Sequence, residues 1–141
     1  MHGKKLVVLA LLISNILACN GKDSSQAPKS CMESMPDSIV GMSVTGARSP
    51  ENVTHNLWPI VCLARDLYQK QRKDNPNLKG LVEIKMAVEF NGEIGSYAIT
   101  RSTLNSPAFE NKIKRLFQFM DFDPYGEHNT ESEIVLPIHF K

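Results

Sequence analysis

The sequence predicts an α+β domain in which a three-stranded antiparallel sheet, ordered 2-1-3, carries two helices on one face. Apolar and polar residues alternate over residues 82–90 and again over 134–140, as in strands that bury one face. Apolar side chains recur at helical spacing over residues 109–120. The dipeptide Asn91-Gly92 between two extended segments favours a type I′ hairpin.

Residues 1–18 have the pattern of a bacterial lipoprotein signal peptide. Two lysines precede an apolar run that ends in Ile16-Leu17-Ala18-Cys19. A signal peptidase needs a small residue before the cut, which Ala18 supplies, and the Cys19 thiol can carry a diacylglycerol thioether. We therefore expect lipid attachment at Cys19, with ordinary secretion as the alternative.

The apolar run is too short for a membrane-spanning helix. Leu6 to Ala18 is thirteen residues long, and Ser14 and Asn15 interrupt it, whereas a spanning helix needs about 20 apolar residues. Acyl chains on Cys19 would hold the mature chain at a membrane, because each buried methylene contributes about 0.8 kcal/mol. Asn20 in place of Asp after the cysteine favours the outer membrane, so we expect a lipid-anchored protein of the cell envelope that faces the periplasm.

The mature chain is expected to divide into a tether and one small domain. Residues 19–51 are rich in Ser, Gly, Lys, Asp, Pro and Met without a sustained period, which predicts a lipidated cysteine followed by a flexible tether. Residues 52–141 are the expected domain. In an exported protein Cys31 and Cys62 can pair, although Cys62 could equally be a buried thiol.

The first helix is expected to begin at Asn56 as its N-cap, with Pro59 in its first turn, and to end at Asn75-Pro76. The strand over 82–90 comes next, and its regular alternation predicts that it is central in the sheet. The return strand over 93–102 changes phase, which a bulge near Gly95 would explain.

The second half of the domain contains a helix and the last strand. Ser106 can cap the second helix, with Pro107 at its first position. The last strand covers residues 133–140, and Pro137 predicts an edge position with its nitrogen turned outward, because proline cannot donate to a ladder.

Charge and residue spacing argue against several classes of function. Removal of Lys4 and Lys5 from the 16 basic residues leaves 14, against 15 acidic ones, so the surplus of basic residues that nucleic-acid binding requires is lacking. The sequence has no cofactor motif and no metal-ligand spacing. His55 and Cys62, two helical turns apart, cannot complete a zinc site alone. A periplasmic enzyme or a small-ligand-binding lipoprotein stays as the alternative function.

The predicted domain resembles the TonB C-terminal domain superfamily, and more closely its AgmX/PglI-type branch, which is named for proteins of gliding motility. The stretches that carry the resemblance are Leu67-Tyr68 and residues 75–80, 90–94, 102–109 and 136–140. The resemblance implies a non-catalytic module that binds peptides or envelope proteins, as an adaptor or structural component of a motility, secretion or transport assembly.

Two departures from that family bear on the expectation. The chain has Met120-Asp121-Phe122 where the family typically has Trp-x-Phe, so we expect looser packing there. TonB-like energy transducers also have an uncleaved inner-membrane helix and a long Pro-rich spacer, which a short tether cannot replace.

The expected partner site is the edge of the last strand. A partner strand could add to the sheet at Glu133, Ile134, Val135 and Leu136, although Pro137 interrupts the row of donors and an edge protected against pairing is the alternative. The partner itself is an unknown envelope protein or peptide. A second copy of the chain, forming a homodimer, is another partner that so small a core allows.

Overall fold

The computed structural model describes residues 29–141, and these residues form the predicted α+β class of fold. A short 3-10 helix (Met32–Ser34) opens the described chain. It is followed by β1 (Ser43–Gly46), α1 (Pro50–Asp74), β2 (Gly80–Glu89), β3 (Ile94–Ser102), α2 (Pro107–Gln118) and β4 (Glu131–Phe140).

The sheet has four antiparallel strands in the order β1-β4-β2-β3. The three predicted strands are β2, β3 and β4, and β2 lies between the other two as expected. The expected number of strands is wrong, because β1 adds to the outer side of β4. Only four residues form β1, and all but Val44 are exposed, so its sequence shows no alternation.

Helix α1 begins six residues before the expected cap at Asn56. Ser49 is the N-cap, its Oγ accepts a hydrogen bond from the Asn52 backbone at 3.1 Å, and Pro50 occupies the first turn. Pro59 therefore lies inside the helix. The early start is stabilised by Val53 and Leu57, which are completely buried against the sheet.

Part of the expected tether belongs to the folded domain. Residues 29–49 include the 3-10 helix and β1, and both Ile39 and Arg48 are buried. The sequence predicts a domain boundary at residue 52, because this stretch is polar and has no period. The fold begins earlier because single buried residues and one short strand attach the stretch to the sheet.

The β2-β3 hairpin contains the expected bulge but not the expected turn. Ala87 pairs with Ser96 and Val88 with Ile94, so Gly95 is the extra residue. A type I′ turn needs positive φ at both central residues, whereas Gly92 has φ 92° and Asn91 is not among the positive-φ residues. A Cβ on Gly92 would overlap the carbonyl oxygen of Phe122, so the loop after α2 lies directly against this turn.

The core lies between the helices and one face of the sheet. Residues 82, 84, 86 and 88 of β2 and 134, 136, 138 and 140 of β4 are buried, whereas their neighbours point away from the helices. Phe140 joins this core to α1, since its ring centroid lies 4.9 Å from that of Tyr68 and 5.4 Å from that of Phe109. The end of β4 is thus fixed beside α1.

Candidate functional site

The predicted partner-binding edge is already paired within the chain. Thr45, Val44 and Ser43 of β1 lie opposite Glu133, Ile134 and Val135 of β4, respectively. The expectation that residues 133–135 offer a free edge is therefore wrong. The short strand β1, which lies in the expected tether, occupies that edge. Leu136 lies just beyond the paired stretch.

Among residues 29–141, no strand pairs with the outer side of the second half of β4. Gly41, with φ 79°, lies beside Pro137, and its Cβ position would be 3.0 Å from the Pro137 Cγ. The chain before β1 turns here, with the Met42 N–H donating to the Ile39 carbonyl at 3.1 Å. The edge beyond Pro137 is left open as a result.

The open edge presents the backbone of His139. Leu81 faces β3, because its carbonyl accepts from the Thr103 N–H and its own N–H donates to Thr103 Oγ1. The backbone N–H and C=O groups of successive residues point to opposite sides of a strand. Those of Val82 therefore point to β4, where Val82 pairs with Ile138. His139 therefore turns its N–H and C=O away from β2, and Pro137 turns its nitrogen outward as predicted.

A groove of about 760 Å³ lies along this open edge. Its sides are the end of β4, one flank of α1 and the segment that precedes β1. Its lining residues are Ser34, Pro36, Ile39, Val40, Trp58, Val61, Arg65, Tyr68, Gln69, Pro137, Ile138, His139, Phe140 and Lys141. The lining is mainly apolar and aromatic, which is the usual composition of a binding site in proteins.

The segment that forms the outer wall of the groove is fixed at both ends. A disulfide joins Cys31 to Cys62 of α1, with their Cα atoms 5.7 Å apart. Trp58 Nε1 donates to the Cys31 carbonyl at 2.7 Å. At the other end the Ile39 N–H donates to Thr54 Oγ1 at 3.2 Å. The wall is held in place covalently on one side and by a buried hydrogen bond on the other.

Two of the residues that line the groove, Arg65 and Lys141, have positively charged side chains. The Arg65 guanidinium lies 5.0 Å from the centroid of the Trp58 ring, and Arg72 donates to the Lys141 carbonyl oxygen at 3.2 Å. Lys141 and His139 also line the groove, whereas none of the described residues that line it is an aspartate or a glutamate. An apolar ligand with a carboxylate would complement this surface.

The structure uses Cys62 as a disulfide partner. Its sulfur is bonded to Cys31 and so is not available to bind a metal together with His55. Within residues 29–141 no group of three or more His, Cys, Asp and Glu side chains could hold a metal ion.

Arg48 is the structural residue that the sequence did not reveal. Its side chain donates to Asn52 Oδ1 at 2.9 Å and to the carbonyl oxygens of Glu89 and Asp123 at 3.3 and 2.8 Å, respectively. Burial lowers the pKa of the guanidinium, and Asp123 and then Tyr125 partly offset this change. Arg48 thus joins the start of α1 to the β2-β3 turn and to the loop after α2.

No protein-family model, curated protein or solved structure matches the chain. In the part that the structure describes, no helix is long and apolar enough to cross a membrane. Cys19 and the expected signal peptide lie outside the described residues.

Proposed function

We propose that the chain is a lipid-anchored protein of the cell envelope whose TonB-like domain binds an extended segment of a periplasmic or envelope partner in the groove beside β4. The function is that of a non-catalytic adaptor or structural component, anchored through Cys19 to the outer membrane and facing the periplasm. The observation that carries the proposal is the coincidence of an open strand edge with an apolar groove. An open edge supplies backbone partners and the groove supplies side-chain contacts.

The open edge is short, so side-chain contacts must supply much of the affinity. The backbone of His139 can donate one hydrogen bond and accept one, whereas Pro137 can only accept. An apolar side chain of the ligand would pack on Val40, which is exposed in the wall of the groove. A carboxylate of the same segment would lie near Arg65 and Lys141.

Substitution of the edge tests this mode of binding. We expect His139→Pro to lower crosslinking to envelope partners at least about tenfold. The variant loses the outward N–H donor, and the proline ring stands in the way of a partner strand, so that partner binding loses more than about 1.4 kcal/mol. The pairing of β4 with β2 is preserved, because the N–H of His139 points away from β2. The measurement is the yield from a photoreactive residue at Gln69 in the anchored chain.

His139→Ala is the matched control, because it removes the imidazole and keeps the backbone donor. Its crosslinking should equal that of the parent chain. Equal yields from His139→Pro and the parent, or yields at Gln69 no higher than those from a photoreactive residue at Thr100 on β3, would reject the groove as the partner site.

The lipid anchor has its own test. We expect Cys19→Ser to move the protein from the membrane fraction to the soluble fraction, because acyl chains supply the membrane affinity. Mass spectrometry of the parent chain should find the lipid on Cys19. Cys31→Ser is the control and should stay in the membrane fraction. An unmodified thiol at Cys19 would contradict the anchor without bearing on the groove.

A further inference from the structure

The outer side of the helix pair contains an apolar strip. Helix α2 and the loop after it run antiparallel to α1, because Lys112 Nζ donates to Gln71 Oε1 at 2.9 Å and the Asp123 N–H donates to Asn56 Oδ1 at 2.8 Å. We define the helix seam as the apolar residues between these two contacts that are exposed or only partly buried. They are Ile60, Leu63, Leu67, Leu116 and Phe119.

The exposed members of the helix seam lie at its centre. Phe119 is 83 % exposed and Leu63 is 49 % exposed. Leu63 is in the middle of α1, and Phe119 directly follows the last residue of α2. The other three members are partly buried against the core and support this pair from below. A single exposed apolar side chain is ordinary, but a supported group of this kind is typical of an interaction surface.

The charges around the helix seam differ in sign between its two ends. The end at Asn56 is acidic, because Glu51, Asp121 and Asp123 lie there and Arg48 is buried. The end at Gln71 has five basic residues against three acidic ones. The basic residues are Lys70, Lys73, Lys112, Lys114 and Arg115, and the acidic ones are Asp66, Asp74 and Glu110. The charges are thus nearly balanced in number but separated along the seam.

A surface with two ends of opposite sign complements itself. In a two-fold symmetric dimer the same patch lies on both sides of the interface. A two-fold axis through the centre of the helix seam turns the second copy end for end. The basic end of each copy then faces the acidic end of the other, and the exposed Leu63 and Phe119 of both copies are buried together. A partner of one charge sign would instead be attracted at one end and repelled at the other.

The charged side chains nearest to the exposed centre are free to meet a partner. Arg115 lies one turn before Phe119, and Asp121 lies two residues after it. Both are exposed, and within residues 29–141 neither of them belongs to a salt bridge. Their charges are therefore not already neutralised by an ion pair within the chain.

We propose that the helix seam is the interface of a homodimer. The helix pairs of two copies pack face to face around Leu63 and Phe119, with the acidic end of each copy against the basic end of the other. The two sheets then lie on the outside of the dimer. The groove beside β4 is on the other flank of α1 and stays open, so the inference does not rest on partner binding there.

Light scattering tests the proposal with the mature chain, residues 19–141, carrying Cys19→Ser so that no acyl chain contributes. We expect a dimer that dissociates on dilution. Leu63→Ser combined with Phe119→Ser should raise the dissociation constant of the dimer at least about tenfold. The dimer buries each of these side chains twice, and their loss costs more than about 1.4 kcal/mol.

Val40→Ser is the matched control. Val40 is 86 % exposed but belongs to the wall of the groove, so its substitution should leave the dimer unchanged. Circular dichroism and thermal unfolding should show that all variants are folded. Crosslinking at Gln69 should persist in the double variant, which separates this test from that of the proposed function.

Charge substitutions test whether the occupant of the helix seam is a second copy. Asp121→Lys weakens the acidic end and Arg115→Glu removes the excess of the basic end, so each variant alone should dimerise at least about threefold more weakly. In an equimolar mixture, the lysine introduced in one copy faces the glutamate introduced in the other. The mixture should therefore form a heterodimer with about the affinity of the parent.

Three results would overturn the inference. One is a parent chain that stays monomeric at every concentration. Another is a folded double variant that dimerises as the parent does, because the interface would then lie elsewhere. The third is an equimolar mixture of the two charge variants that dimerises no better than either variant alone.

Discussion

Arg48→Met is expected to lower the free energy of unfolding by about 3 kcal/mol. The guanidinium is buried, with the residue only 4 % exposed. Methionine fills similar space but leaves the carbonyl oxygens of Glu89 and Asp123 without the donor that they have in the parent. Partly buried acceptors that lose a charged donor each cost part of their desolvation.

The effect should also depend on the shape of the cation. The guanidinium carbon of Arg48 lies 5.1 Å from the ring centroid of Phe122 and 5.7 Å from that of Tyr125. Arg48→Lys keeps a charge but lacks the planar fork, so it should still lose a large part of the stability. Arg101→Met, on the exposed face of β3, is the control and should change the free energy by less than about 0.5 kcal/mol.

Urea unfolding followed by circular dichroism measures these differences. An Arg48→Met protein as stable as the Arg101→Met protein would show that the three connections of Arg48 are dispensable. A loss of stability in both Arg48 variants, and not in Arg101→Met, would show that a single side chain fixes the start of α1, the β2-β3 turn and the loop after α2 together.

Loss of the disulfide is expected to have an effect of similar size. Cys31→Ala combined with Cys62→Ala should lower the free energy of unfolding by about 3 kcal/mol, because the bond closes a loop between residues 31 positions apart and so restricts the unfolded chain. The double variant should also lose partner crosslinking at Gln69, because the wall formed by Ser34, Pro36, Ile39 and Val40 would be free on one side.

Thermal unfolding with and without a reductant provides the internal control. The parent chain should approach the double variant when reduced, and the double variant should not respond to the reductant. Peptide mapping without reduction should recover residues 31 and 62 in one crosslinked fragment. Free thiols at both positions, in protein purified without a reductant, would contradict the bond and the expected loss.

The elements with a regular pattern could be predicted from the sequence. The alternation in β2 reflects a strand that buries one face against helices, and the capping signal at Ser106-Pro107 places the start of α2. The altered phase of the return strand identified the bulge at Gly95, because an extra residue shifts the side chains that follow it.

Elements that depend on distant contacts could not be predicted in the same way. The strand β1 is too short to show a period, and only its pairing with residues 132–135 gives it a regular conformation. Pro59 suggested a helix start, but α1 tolerates it in the interior because buried residues on both sides of it hold the helix on the sheet. Tertiary packing overrides local preference in both cases.

The candidate site was only partly visible in the sequence. From the sequence, a bond between Cys31 and Cys62 and a buried thiol at Cys62 are both open, and the structure shows the bond. The predicted edge at residues 133–136 lies half a strand too early, because β1 covers most of it. Arg48 left no signal, because one arginine in a polar stretch is ordinary until its three acceptors come together.

The position of the disulfide determines how the domain would respond to mechanical load. In an anchored chain, tension from the membrane reaches the fold at Cys31 and passes through the sulfur atoms directly into α1. Tension is not transmitted through the polypeptide between the two cysteines, which includes β1 and the outer wall of the groove. A partner strand held at His139 would therefore be pulled against the helix and central strands, while the wall beside it keeps its shape.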